Sequence, residues 1–285
     1  MASLRFVPEM PRLPAPLVAA AASAGAQAQQ AYVSSEFGRR VALAREVIPQ
    51  EHEAGKPALV RLLSEAQILI EPLRRSRRPK LTIAATANPQ TVMILPGFGT
   101  RPGRMRYLAE QMEAAGHIAK RWGQGRNWGP NPDTFDQVEA RMLDLYARHG
   151  RPVVLVGWSL GGLFARELAK RQPQAVAKVI TMGSPFSGSP RANNVWRAYQ
   201  FITGHSVDAP PVEAVLSVKP PVETVALWSA NDGVIAPRCA AGRPDERDRA
   251  IAVRCTHMGF TYDPQVVATL LAELENVRVE SSCSS

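Results

Sequence analysis

The sequence predicts an α/β domain: a mostly parallel central sheet, helices on both of its faces, and a small cap inserted late in the chain. Three observations predict it. From residue 81 onward, short apolar runs alternate with stretches whose apolar residues recur at helical spacing. One run, Val153-Val154-Leu155-Val156, leads through Gly157-Trp158-Ser159-Leu160-Gly161-Gly162 into a helical pattern that carries Leu163, Phe164 and Leu168. Residues 186–221 then interrupt the rhythm with Pro190, Pro210, Pro211, Pro220 and Pro221.

Taken in order, residues 1–35 are rich in Pro, Ala and Gln and read as a loose arm. Over 38–73, Leu59, Leu62, Ala66, Leu69 and Leu73 recur every three or four residues, with Leu63 and Ile70 widening the stripe. This predicts an amphipathic helix ended by Pro72 and Pro79, its apolar face packed on the core. Contact of that face with a membrane surface or a partner is the alternative. Strands are expected at Leu81 to Ala84, Thr91 to Leu95, Ile118 to Trp122, Val153 to Val156, Val176 to Met182, Thr224 to Trp228 and Ile251 to Val253. Helices are expected at 104–115, at 134–148, behind Ser159, and from Val266 to Leu274. Gly116 and Gly150 are placed to close the first two. Val195 to Ile202 is a short amphipathic stretch inside the proline-rich break. In a doubly wound sheet such an insertion lies over the carboxyl ends of the strands, where ligands bind. Residues 1–80 therefore form an arm and helical segment, and 81–285 the main domain, with the cap at about 186–221.

The 285 residues suffice for one large domain with a substantial core. There are 34 Lys and Arg against 25 Asp and Glu, a formal charge of +9. Much of the excess lies in Arg39-Arg40 and in Arg74-Arg75-Ser76-Arg77-Arg78-Pro79-Lys80. No aromatic residues interleave this run to stack bases, so no nucleic-acid partner is expected and the run reads as a solvated linker. No apolar stretch is long enough to span a bilayer. Leu17 to Ala24 faintly resembles the end of a signal peptide, but Pro8, Pro11, Pro14, Pro16 and Glu9 argue against one, and the expectation is a cytoplasmic protein. Three cysteines make no disulfide framework, and Cys239 and Cys255 stand either as free thiols or as a pair.

Strand, G-x-S-x-G and helix together make a nucleophile elbow. Ser159 must stand on a very sharp turn, and side chains at Gly157 or Gly161 would strike the neighbouring strand and helix. The following helix points its positive N-terminus at any oxyanion that forms. A serine hydroxyl is a poor nucleophile near neutral pH, so it needs a base, and the base needs an orienting carboxylate. Of five histidines, His52 lies in the N-terminal helical region, and capping suffices for His117 and His149 at helix ends. His257 follows a strand late in the chain, within Cys255-Thr256-His257-Met258-Gly259-Phe260, and is the expected base. His205, in the cap, is the alternative. Asp232 follows the strand Thr224 to Trp228 and is the expected acid, with Asp208 the alternative; Asp245, Glu246 and Asp248 look solvated. The two oxyanion donors are expected at the backbone N–H of Leu160 and at that of Phe98, within Leu95-Pro96-Gly97-Phe98-Gly99. The segment from Trp122 to Pro130, with Gly123, Gly125 and Gly129 among Arg126, Asn127 and Trp128, leaves a strand near the same rim. Its expected role is to brace the catalytic loops, with contact of Arg126 and Asn127 to a polar part of the substrate as the alternative.

These pieces, together with Gly183-Ser184-Pro185, Asp232-Gly233 and Thr256-His257-Met258-Gly259, resemble the α/β-hydrolase superfamily, and among it the bacterial serine esterases and lipase-like hydrolases. The resemblance runs from about Leu81 to the C-terminus. It implies hydrolysis of carboxylic esters through an acyl-enzyme, with the order Ser159, Asp232, His257. Where many lipases carry His-Gly in the oxyanion loop, this chain has Pro96-Gly97. The chemistry requires no metal and no organic cofactor. The expected partner is a small-molecule ester with a hydrophobic acyl group, for which Val195, Trp196, Tyr199, Phe201 and Ile202 of the cap speak. Trp158, Trp128 and Trp196 are candidates for substrate contact. Two rivals stay open: an acyltransferase or thioesterase on the same scaffold, and a non-catalytic binding module that docks through the basic N-terminal region.

Overall fold

The computed structural model describes residues 23, 27, 30–46, 55–71, 73, 81–209, 211, 212 and 214–277. The basic run 74–80, Pro72, His52 and most of the first 29 residues lie outside them.

Six parallel strands form one sheet: β1 (Thr91–Leu95), β2 (Ile118–Arg121), β3 (Val153–Trp158), β4 (Val176–Met182), β5 (Glu223–Ser229) and β6 (Arg249–Val253). Their spatial order is β2-β1-β3-β4-β5-β6. The chain steps outward from β1 to β2, returns past β1 to β3, and then advances to β6. The direction reverses between β1 and β3, so the loops leaving these two strands part there and open a crevice.

Side chains alternate along each strand, which divides the core in two. Val92, Ile94, Val154, Val156, Ile180 and Leu227 face one layer, together with helices α3 (Arg106–Ala114) and α8 (Pro264–Glu275). Met93, Leu95, Val153, Leu155 and Val179 face the other, against α4 (Pro132–His149) and α5 (Leu160–Arg171). The helix ends have local causes. Asn131 caps α4 by accepting the Thr134 N–H at 2.9 Å, Pro132 fits its first turn, and Gly150 closes it at φ 63°. Asp263 and Pro264 start α8 in the same way. Burying Phe135, Val138, Met142 and Leu145 on α4 stabilises the fold by roughly 1.5–3 kcal/mol each.

Two N-terminal expectations change. Leu81 to Ala84 forms no strand; only Leu81 packs on the core, and with no strand beside it the backbone takes irregular structure that water can solvate. The single amphipathic helix over 38–73 is instead α1 (Glu36–Ala44), then α2 (Leu59–Ser64) running into a 3₁₀ turn (Glu65–Leu69). Leu59, Leu63 and Leu69 are exposed, while Leu62 is partly buried and Glu65 is buried. The face turned inward is the one that carries a carboxylate, because backbone donors await it there.

The cap carries α6 (Trp196–Thr203), closed by Gly204 at φ 75°. An antiparallel bridge from Asn193 to Ile235 ties its start to the loop after β5. Helix α1 lies on α6: Gln200 donates to the Leu43 carbonyl at 2.6 Å, and Arg39 to the Gly204 carbonyl at 2.7 Å. Arg39 and Arg40 also pair with Glu36 of their own helix, and Arg40 donates to the Phe201 carbonyl at 3.3 Å, so this basic pair helps hold α1 to the cap. Between β5 and β6 lie α7 (Pro237–Ala241) and a 3₁₀ turn that buries Glu246. Its carboxylate is not solvated as expected; it accepts the Arg243 N–H at 2.7 Å and an Arg243 side-chain N–H at 3.0 Å.

Candidate active site

Ser159 sits between β3 and α5 with φ 54° and ψ −123°. Among the described residues it is the one non-glycine with positive φ. Such a conformation persists only where its surroundings enforce it. A Cβ on Gly157 would lie 2.4 Å from the Gly161 carbonyl oxygen, and one on Gly161 would lie 2.2 Å from the Leu95 carbonyl oxygen. Gly162 is equally constrained, with Ser184 Oγ at 2.0 Å from its Cβ position. All three glycines let strand, turn and helix approach closely enough to raise Ser159 at the helix N-terminus.

The loop Pro96-Gly97-Phe98-Gly99 stands against the same turn: a Cβ on Gly97 would lie 3.2 Å from Ser159 Cβ. The N–H groups of Phe98 and Leu160 make no hydrogen bond within the described residues. The loop is held from behind by the segment after β2. Asn127, fully buried, donates from Nδ2 to the Pro96 carbonyl at 2.7 Å; its own carbonyl accepts the Gly99 N–H at 2.6 Å, and its N–H donates to the Thr100 carbonyl at 3.0 Å. Arg126 adds a bond to the Gly99 carbonyl at 2.8 Å.

Asp232, at the end of β5, and His257, after β6, meet: His257 Nδ1 lies 2.8 Å from Asp232 Oδ2. Asp232 is 1% exposed and His257 3%. Asp232 Oδ1 accepts the N–H groups of Val234 and Ile235, both at 2.8 Å, which fixes the carboxylate plane. A carboxylate only accepts, so the Nδ1 of His257 donates, and Nε2 of the neutral ring is left with the lone pair. The alternatives are elsewhere: His205 is exposed, and Asp208 pairs with Arg191. Two residues that sequence reasoning did not assign to this work join the loops. Ser229 Oγ donates to the Cys255 carbonyl at 2.6 Å, and Trp158 Nε1 to the His257 carbonyl at 3.1 Å. Cys239 and Cys255 are free, buried thiols, and burial pushes the Cys255 thiol far above its ordinary range.

The candidate substrate contacts divide. Trp196 lines a cavity, partly open to solvent, that reaches Ser159 and Leu160 and is walled by Phe98, Leu163, Phe164, Val195 and Tyr199. Trp158 is not among its lining residues. Its indole is buried beneath His257, the ring centres 5.5 Å apart. Trp128, 54% exposed, stands on the rim beside Phe98 with the Arg126 guanidinium over it. Phe201 faces Phe37 of α1, and it and Ile202 are exposed. Burial raises the Tyr199 phenol to about 12, so the cavity wall is uncharged there. Glu65 is the largest omission. Its buried carboxylate touches the loops of both Asp232 and His257, and its only sequence signal is a position three residues beyond Leu62 on one helical face.

A serine at positive φ on a strand-to-helix turn, a paired imidazole and carboxylate, and two backbone N–H groups without a partner among the described residues thus stand on the loops that leave the parallel strands. The chain belongs to the α/β-hydrolase fold family, whose profile matches residues 91–243. It is similar to a pimeloyl-[acyl-carrier protein] methyl ester esterase from Edwardsiella ictaluri, 31% identical over 100 residues that cover 34% of this chain and 38% of that protein. The chain thus spans about two fifths of the length of the curated relatives it matches. In fold it is similar to Aspergillus fumigatus lipase B, with a TM-score of 0.52, 18% identity and coverage of 72% of this chain and 57% of that one. A metagenome-derived lipolytic enzyme gives 0.51 at 16% identity over 68% of this chain and 96% of its own.

Proposed function

We propose that this chain hydrolyses carboxylic esters through an acyl-enzyme on Ser159. The observations that carry the reading are the buried 2.8 Å contact between Asp232 and His257 and a serine held at positive φ on a helix N-terminus, whose preceding residue, Trp158, donates to the His257 carbonyl. Ser159 Oγ attacks the ester carbonyl carbon while His257 Nε2 takes the hydroxyl proton. Asp232 holds the ring and stabilises its cation. The oxyanion of the tetrahedral intermediate accepts hydrogen bonds from the N–H groups of Phe98 and Leu160. His257 then gives its proton to the departing alkoxide, which leaves as the alcohol. Water, deprotonated by the same imidazole, attacks the acyl carbon and releases the acid with the Ser159 hydroxyl restored. The apolar walls of the cavity, Leu163, Phe164, Val195 and Trp196 among them, support a hydrophobic acyl group. The Edwardsiella relative, named for an ester substrate, supports the bond type.

Ser159→Ala tests the reading. The variant is expected to keep the circular dichroism of the wild type and to lose p-nitrophenyl ester turnover by roughly four to six orders of magnitude. A fluorophosphonate probe should label the wild type at Ser159 and leave the variant unlabelled. Retained turnover in the purified variant rules the assignment out, and a series of p-nitrophenyl esters reads the acyl length the cavity accepts.

A further inference from the structure

We infer that Glu65, which lies outside the segment matched by the family, is a positioning residue of the active site. The inference rests on the reading of Ser159, Asp232 and His257 given above. Glu65 Oε1 accepts two backbone N–H groups, that of Gly233 at 2.9 Å and that of His257 at 2.7 Å. Its Oε2 accepts the N–H of Met258 at 2.9 Å. One carboxylate therefore bonds the residue after the acid, the base itself and the residue after the base. Both of its oxygens are acceptors, and the three groups turned toward it are donors, so the match is complete without another partner.

A second observation is independent of the carboxylate. The backbone of α2 is seated on the acid loop: a Cβ on Gly233 would lie 2.3 Å from the Arg61 carbonyl oxygen and 2.8 Å from the Leu62 nitrogen. Asn194 Nδ2 spans the same junction, donating to the Pro57 carbonyl at 3.1 Å and to the Gly233 carbonyl at 2.8 Å. The segment over 55–71 is thus built into the two loops that carry Asp232 and His257. Glu65 touches no reacting atom. It sets the separation of the two backbones, and through them the aim of the imidazole.

The test uses the full chain. In Glu65→Ala, kcat on a short p-nitrophenyl ester should fall by about 10²-fold, the scale of a misplacement near 1 Å. KM should stay within about threefold, because Glu65 does not line the cavity. The second-order rate of fluorophosphonate labelling should fall with kcat. Glu65→Gln keeps a carbonyl oxygen able to replace Oε1 but turns an amide donor toward Met258 N–H. It should lie between, about tenfold below wild type. Hydrogen exchange at amides 233, 257 and 258 should accelerate in both variants while the core amides of β3 and β4 keep their protection. A folded Glu65→Ala with wild-type kcat overturns the inference. If that variant fails to fold, Glu65→Gln decides it, and an unchanged kcat there overturns it equally. When wild type reacts with ester and phosphonate but both variants match it, only the role of Glu65 fails. A wild type that reacts with neither sinks the hydrolase reading and this inference with it.

Discussion

Ser159 holds a backbone conformation that costs an L-residue about 1–3 kcal/mol, and the glycines around it are what permit the strain. At Gly157 the obstructing atoms are backbone, the Gly161 carbonyl and the Gly162 nitrogen at 2.4 Å from a built Cβ, so no side chain can swing aside. Gly157→Ala should therefore lower stability by about 1–3 kcal/mol or more, read as a drop in the urea midpoint, and should cost ester turnover as well. Gly125→Ala is the control: a Cβ there meets nothing within 4 Å, and stability should change by less than about 0.5 kcal/mol. The turn was legible because its requirement is written in adjacent residues. The fate of the three tryptophans was not. Trp158, Trp128 and Trp196 are chemically equivalent in the sequence, yet one lies beneath the imidazole, one on the rim and one in the cavity wall.

At the scale of elements, the loops carry the candidate site residues and neighbouring segments hold the loops. The segment after β2 shows this most plainly. Asn127 makes three of the bonds that shape Pro96 to Thr100, and its removal leaves the buried Pro96 carbonyl without a donor. Asn127→Ala is expected to destabilise the fold by about 1–3 kcal/mol. By loosening the loop that carries the Phe98 N–H, it should also lower kcat by about 10²-fold, with KM nearly unchanged in steady-state assays. Equal losses in kcat and in phosphonate labelling would fit this role; a rise in KM alone would refute it. The helices after residue 100, except α7, and most strands were readable here. Asn131-Pro132 and Gly150 bound α4, and Asp263-Pro264 opens α8, because caps act within one turn. The N-terminal stripe misled, since leucine spacing states that a face is apolar but not that a core exists opposite it.

Across the whole molecule, the sheet and its two cores place the loops that carry Phe98, Ser159, Asp232 and His257 at one edge, while other buried polar groups tie the fold together far from that edge. His117 is one of them: its Nδ1 accepts the Gln90 N–H at 3.1 Å, joining the start of β2 to the start of β1. That bond needs a lone pair on Nδ1, and burial lowers the imidazole below its ordinary value of 6.5. The sign follows. As pH falls, the unfolded chain takes up this proton before the folded one, so the contribution to stability is present above 6.5 and is lost as pH drops toward the folded value. The urea midpoint should fall from pH 7 to pH 5, and the fall should be smaller in His117→Asn, whose carbonyl oxygen accepts the same N–H without titrating. An identical pH slope in the two proteins would remove His117 from the account.

By itself the sequence determined the alternation of strand and helix, the elbow around Ser159 and the loop that offers the Phe98 N–H. Periodicity and turn chemistry are local, and a few consecutive residues suffice to state them. Only the tertiary structure decided which imidazole meets which carboxylate, and that a glutamate from the N-terminal segment fastens both loops. The Asp232–His257 contact spans 25 positions and the Glu65–His257 bond 192. Contacts at such separations depend on how layers stack and which face turns inward, and no spacing along the chain encodes that choice.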